Sequence, residues 1–331
     1  MANYPQLDDC SGVWTLKEVN NAVMGGYWRS AGSRALFAGG STGSVVDVID
    51  YVTIASTGDA TDFGDLISAQ FECSGGGNFT RSIFATGSNT TDIVYVNPTS
   101  TGNATDFGDR TIAVYGPAAA GNSTRLIMVG GQVPGSPGGT DVMDYVTIIS
   151  VGNATDFGNL TTGTTKRYAS YQANSPTRAI FAGGYNPQSE VMDYVEIATT
   201  GNAIDFGNLT EEKGFGASAC SSTRGVFLGG LDNPNADKVG VEFIEIASTG
   251  NAINFGDLTA ARRQCCGTSN SVRGIVAGGG APSSINIIEY IQISAGGTTV
   301  DFGDLTSARY SSGSTSNAHG GLNDGYQGTR P

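Results

Sequence analysis

The phrase YVTIASTGDATDFGDL, which starts at Tyr51, recurs in recognisable form six times along the chain. Its Phe marks the register at Phe63, Phe107, Phe157, Phe206, Phe255 and Phe302, five intervals that span 239 residues and average about 48. A period of that length lies in the range of propeller blades of the kelch kind. A second landmark, RALFAGG from Arg34, alternates strictly with the first, its counterparts starting at Arg81, Arg125, Arg178, Arg224 and Arg273.

Each unit reads as four antiparallel strands. RALFAGG is apolar and ends in Gly-Gly, as a buried second strand with a sharp turn would. Residues 48–54 alternate apolar side chains with Asp50 and Thr53, the period of a half-covered third strand. The turn residues from Ser56 to Asp59 then lead into a fourth strand, so the third and fourth form a hairpin. The first strand leaves the weakest trace, in stretches such as GASACSS from Gly216. Six such units predict an all-β fold, a six-bladed kelch-like β-propeller, in which each repeated Phe packs against the neighbouring blade. The propeller is expected over residues 31–322, between an N-terminal arm (1–30) and a C-terminal tail (323–331). Two segments compete to complete the first blade, residues 307–321 and residues 26–32, and the repeat pattern does not choose between them.

In the arm, Thr15 and Glu18 have capping-box spacing, and Leu16, Val19 and Val23 recur at helical intervals before Gly25 and Gly26. A short helix over 15–24 is too short to stand alone. With Trp14, these residues form a candidate anchor to a larger assembly.

The net charge of −13 argues against nucleic acid, whose affinity comes from clustered Lys and Arg. No apolar stretch is long enough for a bilayer and no signal peptide is visible, so neither membrane insertion nor secretion is expected. The five cysteines, Cys10, Cys73, Cys220, Cys265 and Cys266, are scattered and odd in number, which speaks against a disulfide framework. All but Cys10 fall just before an Arg-initiated strand, which would gather them at the inner strands as small buried side chains.

Catalytic chemistry finds little support. His319 is the single histidine, too few for a His-built metal centre, and no nucleophile motif accompanies it. A structural role is expected, and no enzyme. Asp59, Asp62 and Asp65 recur as Asn103, Asp106 and Asp109, oxygen ligands three residues apart. Calcium is conceivable there, but the spacing is not that of an EF-hand, and the reading is that these residues cap turns through their own backbone, with no cofactor. The strand-initial arginines are expected to pair within their own blades with the third-strand acids Asp50, Asp144, Asp193, Glu242 and Glu289, the remaining blade having Val94 at that place, or with Asp62 and its counterparts in the fourth strands.

The phrase YVTIASTGNATDFGDLT, closest at residues 145–160 and 243–259, resembles repeats in structural proteins of marine phages, especially cyanophages, and SGVWTLKE at 11–18 resembles segments that introduce repeat domains in phage tail proteins. The resemblance implies a virion component made in the host cytoplasm, tail-associated or in a fibre, present in several copies among other virion proteins, with no inherited catalytic residue. Recognition would then lie in the variable loops between second and third strands, grouped on one face and suited to other virion proteins or to host surface polysaccharide. Candidate contacts there are Ser41, Gln132, Tyr185, Asn186, Asp232, Asn233 and Ser283. The alternatives are a purely structural decoration or connector subunit, and a carbohydrate-active enzyme using paired carboxylates.

Overall fold

The structure, a computed structural model, describes residues 33–135, 139–161, 171–185, 187–280 and 282–322. It is an all-β propeller of six four-stranded antiparallel sheets. Blades 2, 3, 4, 5 and 6 run in chain order from the inside outward, with inner strands Ser74–Gly77, Ala118–Gly121, Tyr171–Asn174, Ala217–Cys220 and Cys266–Ser269. Blade 1 takes its inner strand from the far end of the chain: Gly313–Ser316 pairs antiparallel with Arg34–Ala38, from Ala35 opposite Ser316 to Ala38 opposite Gly313. This settles the competition for blade 1 in favour of the C-terminal segment. The anchor residues Trp14, Leu16, Val19 and Val23, with their helix, lie outside the described residues.

The core sits between blades. Six apolar clusters each join two neighbouring sheets, so that Phe63 packs with Phe84, Val94 and Val96 of blade 2, and Phe157 with Phe181, Val195 and Ile197 of blade 4. Five of the repeated Phe rings are almost completely buried, and only Phe255 is partly exposed. Burial of such a ring contributes about 1.5–3 kcal/mol. In five blades the Phe meets the third-strand Tyr edge to face, as Tyr51 does Phe63 at 5.8 Å between centroids, and in blade 5 Phe243 and Phe255 lie tilted at 4.7 Å.

Three further devices join adjacent blades, and each is written in the repeat. The first is a backbone clasp. In blade 2 the turn before the fourth strand donates Gly102 N–H to Phe63 O (2.8 Å) and Ala104 N–H to Asp65 O (2.7 Å) on blade 1. The Asn103 side chain accepts from Asp65 N–H at 3.1 Å, and Asn153, Asn202, Asn251 and Asp59 repeat that bond at other junctions. The first member of each triad therefore serves the neighbouring blade, which corrects the expectation from spacing for these residues, while Asn254, the counterpart of Asp62, accepts from Gly256 N–H of its own strand at 3.0 Å. The Gly of DFG has a matching reason: Gly64 sits at φ 143°, and a Cβ there would lie 2.5 Å from Gly102 O.

The second device is the strand-initial arginine. Arg34 lies over the Tyr51 ring of its own blade, 4.7 Å from the centroid, and reaches Pro98 O of the next blade at 3.0 Å. Arg81, Arg125, Arg178, Arg224 and Arg273 do likewise, the last closing the circle on Ile54 O and Ala55 O of blade 1. Each such stack is worth about 0.5–1 kcal/mol where solvent reaches it.

The third is a buried ion pair, and it corrects the expected partners of these arginines. Arg178 and Arg224 do pair with a third-strand acid of their own blade, but with the solvent-exposed Glu196 (2.8 Å) and Glu245 (2.7 Å), whereas the buried third-strand acids are held from elsewhere. Asp50 is bound by Arg309 (Nη2 to Oδ2, 3.0 Å) and by the Thr306 hydroxyl at 2.8 Å, both from the segment after the fourth strand of blade 6. Arg262 and Thr259 hold Glu289, Lys213 and Thr210 hold Glu242, Arg110 and Thr111 hold Asp144, and Thr161 binds Asp193. At four junctions the acid thus pairs with a base from the preceding blade. A carboxylate withdrawn from water demands this, because an unpartnered buried charge costs several kcal/mol.

Candidate functional site

The inner strands are built from small residues, SGGG, AAAG, ASAC, CGTS and GSTS among them, and this lets six strands converge on one axis. The channel they leave is narrow. Its interior beside Gly75, Ala120, Ser218, Thr268 and His319 offers only about 30 Å³.

At one end the chain shuts the channel. After Gly313–Ser316 it turns inward, and His319 Nε2 donates to Gly77 O at 2.7 Å, while Nδ1 accepts from Asn174 Nδ2 (2.9 Å) and Gly321 N–H (3.2 Å). The imidazole is thereby fixed as the Nε2–H form and ties blades 2 and 4 to the closing segment. Burial lowers its pKa from the usual value near 6.5 to about 4, against the smaller opposing pull of the Gly77 carbonyl. The unfolded chain therefore binds the proton first as pH falls. Stability is expected to be full above pH 6.5 and to decline by roughly 3 kcal/mol between pH 6.5 and about 4, with no further loss from this group below that. Urea midpoints at pH 7 and 4.5 check this: His319→Gln should flatten the difference, and an unchanged slope would refute it.

The other end is open. The second strands finish there and the first strands begin, since Ala38 faces Gly313 and Ala118 faces Val129, so the loops joining second to third strands share this face. The mouth, about 70 Å³, is lined by Gln172, Phe215, Gln264, Ser311 and Ser312 together with Cys73, Cys265 and Cys266. Just before the inner strand, the backbone adopts left-handed φ at Glu72 (55°), Phe215 (59°), Gln264 (52°) and Ser311 (55°), and Gly116 does so in blade 3. Non-glycine residues so placed each cost roughly 1–3 kcal/mol and persist only where the surroundings impose them. A chain of inter-blade bonds imposes it: Gln264 N–H to Phe215 O (2.6 Å), Ser311 N–H to Gln264 O (2.8 Å) and Glu72 N–H to Ser311 O (2.6 Å). Half-buried rings flank this collar, with Tyr185 against Phe215 at 4.9 Å and Phe71 against Tyr115 at 6.3 Å.

The cysteines do not make this mouth reactive. Burial pushes Cys73 and Cys266 up to about 12 and Cys265 up to about 11, so all three are protonated thiols at neutral pH. Cys220, also buried, is raised for the same reason. These four thiols are expected to resist DTNB at pH 8 until denaturant is added; rapid labelling of any of them in the native protein would contradict the packing. Among the described residues, no group of three or more His, Cys, Asp and Glu is arranged to hold a metal.

The loop residues expected to make contacts are placed unequally. Tyr185 stacks on Phe215 at the mouth. Gln132 exchanges two backbone bonds with Tyr115, at 2.9 and 2.8 Å, and so braces that ring. Ser41 is buried, bridged to Tyr310, with its hydroxyl turned to Gly43 N–H. Asp232 is held by Lys238 Nζ (2.9 Å) and Ala236 N–H (2.7 Å), while Asn233 and Ser283 are exposed and Asn186 lies outside the described residues. The sequence reading missed Phe71, Glu72, Phe215, Gln264 and Ser311. Their common signal is position, just ahead of each weakly marked inner strand.

No family model matches the chain, and no curated protein matches it. Among solved structures it is similar to the one described as "Structure of YjhT", with a TM-score of 0.63 and 9% identity over 76% of this chain and 88% of that one. At such identity the likeness shows the six-bladed propeller fold alone. Among the described residues, no helix is long and apolar enough to cross a membrane.

Proposed function

We propose that the protein is a non-catalytic binding propeller of a phage virion, tail-associated or in a fibre, which engages host surface polysaccharide across the open mouth of its channel. One observation carries the binding reading: aromatic rings, amides and hydroxyls from several blades, with the variable loops, gather on one face of a ring whose repeated residues are occupied in joining blades. Rings with polar neighbours suit the apolar faces and hydroxyl rims of sugars. The mouth is too small to engulf a saccharide, so a glycan would lie across it. The virion setting rests on the resemblance of the repeat phrase to phage structural proteins. The buried acids Asp50, Asp144, Glu242 and Glu289 are tied to bases between the blades, which leaves them out of any pair of catalytic carboxylates.

Binding of purified host polysaccharide tests this reading. Phe215→Ala is expected to weaken it by about tenfold or more, as loss of a central aromatic contact does, and no saccharide product should accumulate. No binding by the parent protein, or full binding by the variant, would reject the reading.

A structural role within the particle is the second reading, and a different feature favours it. Ile204, Ile253 and Val300 stand exposed at equivalent outer-strand positions of blades 4, 5 and 6, where blades 1, 2 and 3 carry Thr61, Thr105 and Thr155. The rim of blades 4, 5 and 6 thus carries one exposed apolar side chain per blade at a fixed height, as a contact line for another virion protein would.

A further inference from the structure

The junction between blades 1 and 2 departs from the others in three positions at once. Where Thr306, Arg309 and Asp50 meet at the closing junction, the equivalent places hold Ile67, Gln70 and Val94. The base, its acid and the bridging hydroxyl are all replaced by uncharged groups, and a cavity of about 260 Å³ lies there, far larger than either space along the channel. Leu66, Ile67 and Val94 line it with apolar surface, and Asp92 and Asp106 add carboxylates.

Gln70 is the second, independent feature. It is only 5% exposed, its amide nitrogen bonds Ser68 Oγ at 3.0 Å, and its Oε1 has no hydrogen-bond partner. A buried carbonyl oxygen left unmatched in a cavity lining is costly unless something donates to it. Gln70 stands where Arg309 stands in the closing junction, so the space lies in the part of the fold that a cationic side chain of this chain fills elsewhere.

We propose that the blade 1–blade 2 junction is a binding site for an alkylguanidinium or alkylammonium group, taking from outside the cation that Arg309, Arg262 and Lys213 supply from within the chain at other junctions. The cation donates to Gln70 Oε1, its charge is met by Asp92 and Asp106, and its apolar stem lies along Leu66, Ile67 and Val94. The volume exceeds the ~150 Å³ that accommodates a benzene-sized guest. This site is separate from the channel mouth and does not depend on polysaccharide binding.

Titration calorimetry with n-butylguanidinium and with the peptide Gly-Arg-Gly tests the assignment. Gln70→Leu is expected to weaken binding by about tenfold or more, the loss that follows removal of a hydrogen bond to a charged group. The variant Ile67→Thr, Gln70→Arg, Val94→Asp rebuilds the internal pair and should keep a cooperative melt while losing binding. Saturable binding of butylguanidinium that this triple variant abolishes supports a site open to free cations. Binding of the peptide alone, lost in the same variant, supports a site for a partner's basic side chain. Absence of binding by both probes, or binding that the triple variant retains, overturns the proposal.

Discussion

Truncation after Ser312 is expected to abolish the cooperative unfolding of this protein. Gly313–Ser316 is the inner strand of blade 1, and its removal deletes the antiparallel pairing with Arg34–Ala38 and one wall of the channel. The same segment carries the Ser314 hydroxyl bond to Gly267 O (2.8 Å) and the His319 latch to blades 2 and 4. In a ring, loss of one seam is not local: both faces of the broken junction are uncovered, including the cluster of Phe37, Val52, Ile275, Ile288 and Phe302 between blades 1 and 6. The combined loss reaches the whole net stability of a domain, about 5–15 kcal/mol. Near-ultraviolet circular dichroism during heating reads the result directly. A truncated chain that melts cooperatively within about 5 °C of the parent would show that the C-terminal strand does not close the ring.

The second large effect concerns the buried pair at that seam. Arg309→Met is expected to cost about 3–5 kcal/mol, because Asp50, fully inaccessible, keeps only Thr306 as a donor. The chain contains its own alternative in Ile67, Gln70 and Val94 at the next junction. Transplanting it as Thr306→Ile, Arg309→Gln, Asp50→Val should recover most of the loss, since exchange of a complete buried pair for uncharged groups is near neutral whereas removal of one member is not. Urea denaturation of parent, single and triple variants decides this. A single variant within about 1 kcal/mol of the parent, or a triple variant no better than the single, would mean that the pair is not what holds the seam.

That junction also explains why spacing alone does not assign the partners of the buried third-strand acids. In a tandem repeat every residue has a counterpart about 48 positions away, so a contact within a blade and a contact to the next blade leave the same periodic trace. The discriminating information was present at one place. Val94 replaces the acid while Arg81, of the same blade, is retained, and the coordinated changes are upstream at Ile67 and Gln70. An acid paired with Arg81 would not vary with Gln70.

The blade count, the third-to-fourth strand hairpin and the burial of the repeated Phe were legible because apolar periodicity and turn residues report them. The inner strands were faint for a physical reason. Beside the axis they meet one another's backbone, so they carry Gly, Ala and Ser without alternation, and a Cβ on Gly267 would sit 2.7 Å from Ser218 O. The mouth was illegible for a related one. Left-handed backbone at Glu72, Phe215 and Gln264 is imposed by bonds from adjacent blades, and none of these residues announces it as Gly or Asn would.

The proposed division of labour between ring and mouth is tested most directly by hydrogen exchange with and without added host oligosaccharide. Slowed exchange is predicted at Phe71, Glu72, Tyr115, Phe215, Gln264 and Ser311, with the clasp amides of Gly102, Gly152 and Gly201 unchanged. Protection confined to the closed end around His319 and Gly321, or to the outer strands, would contradict it.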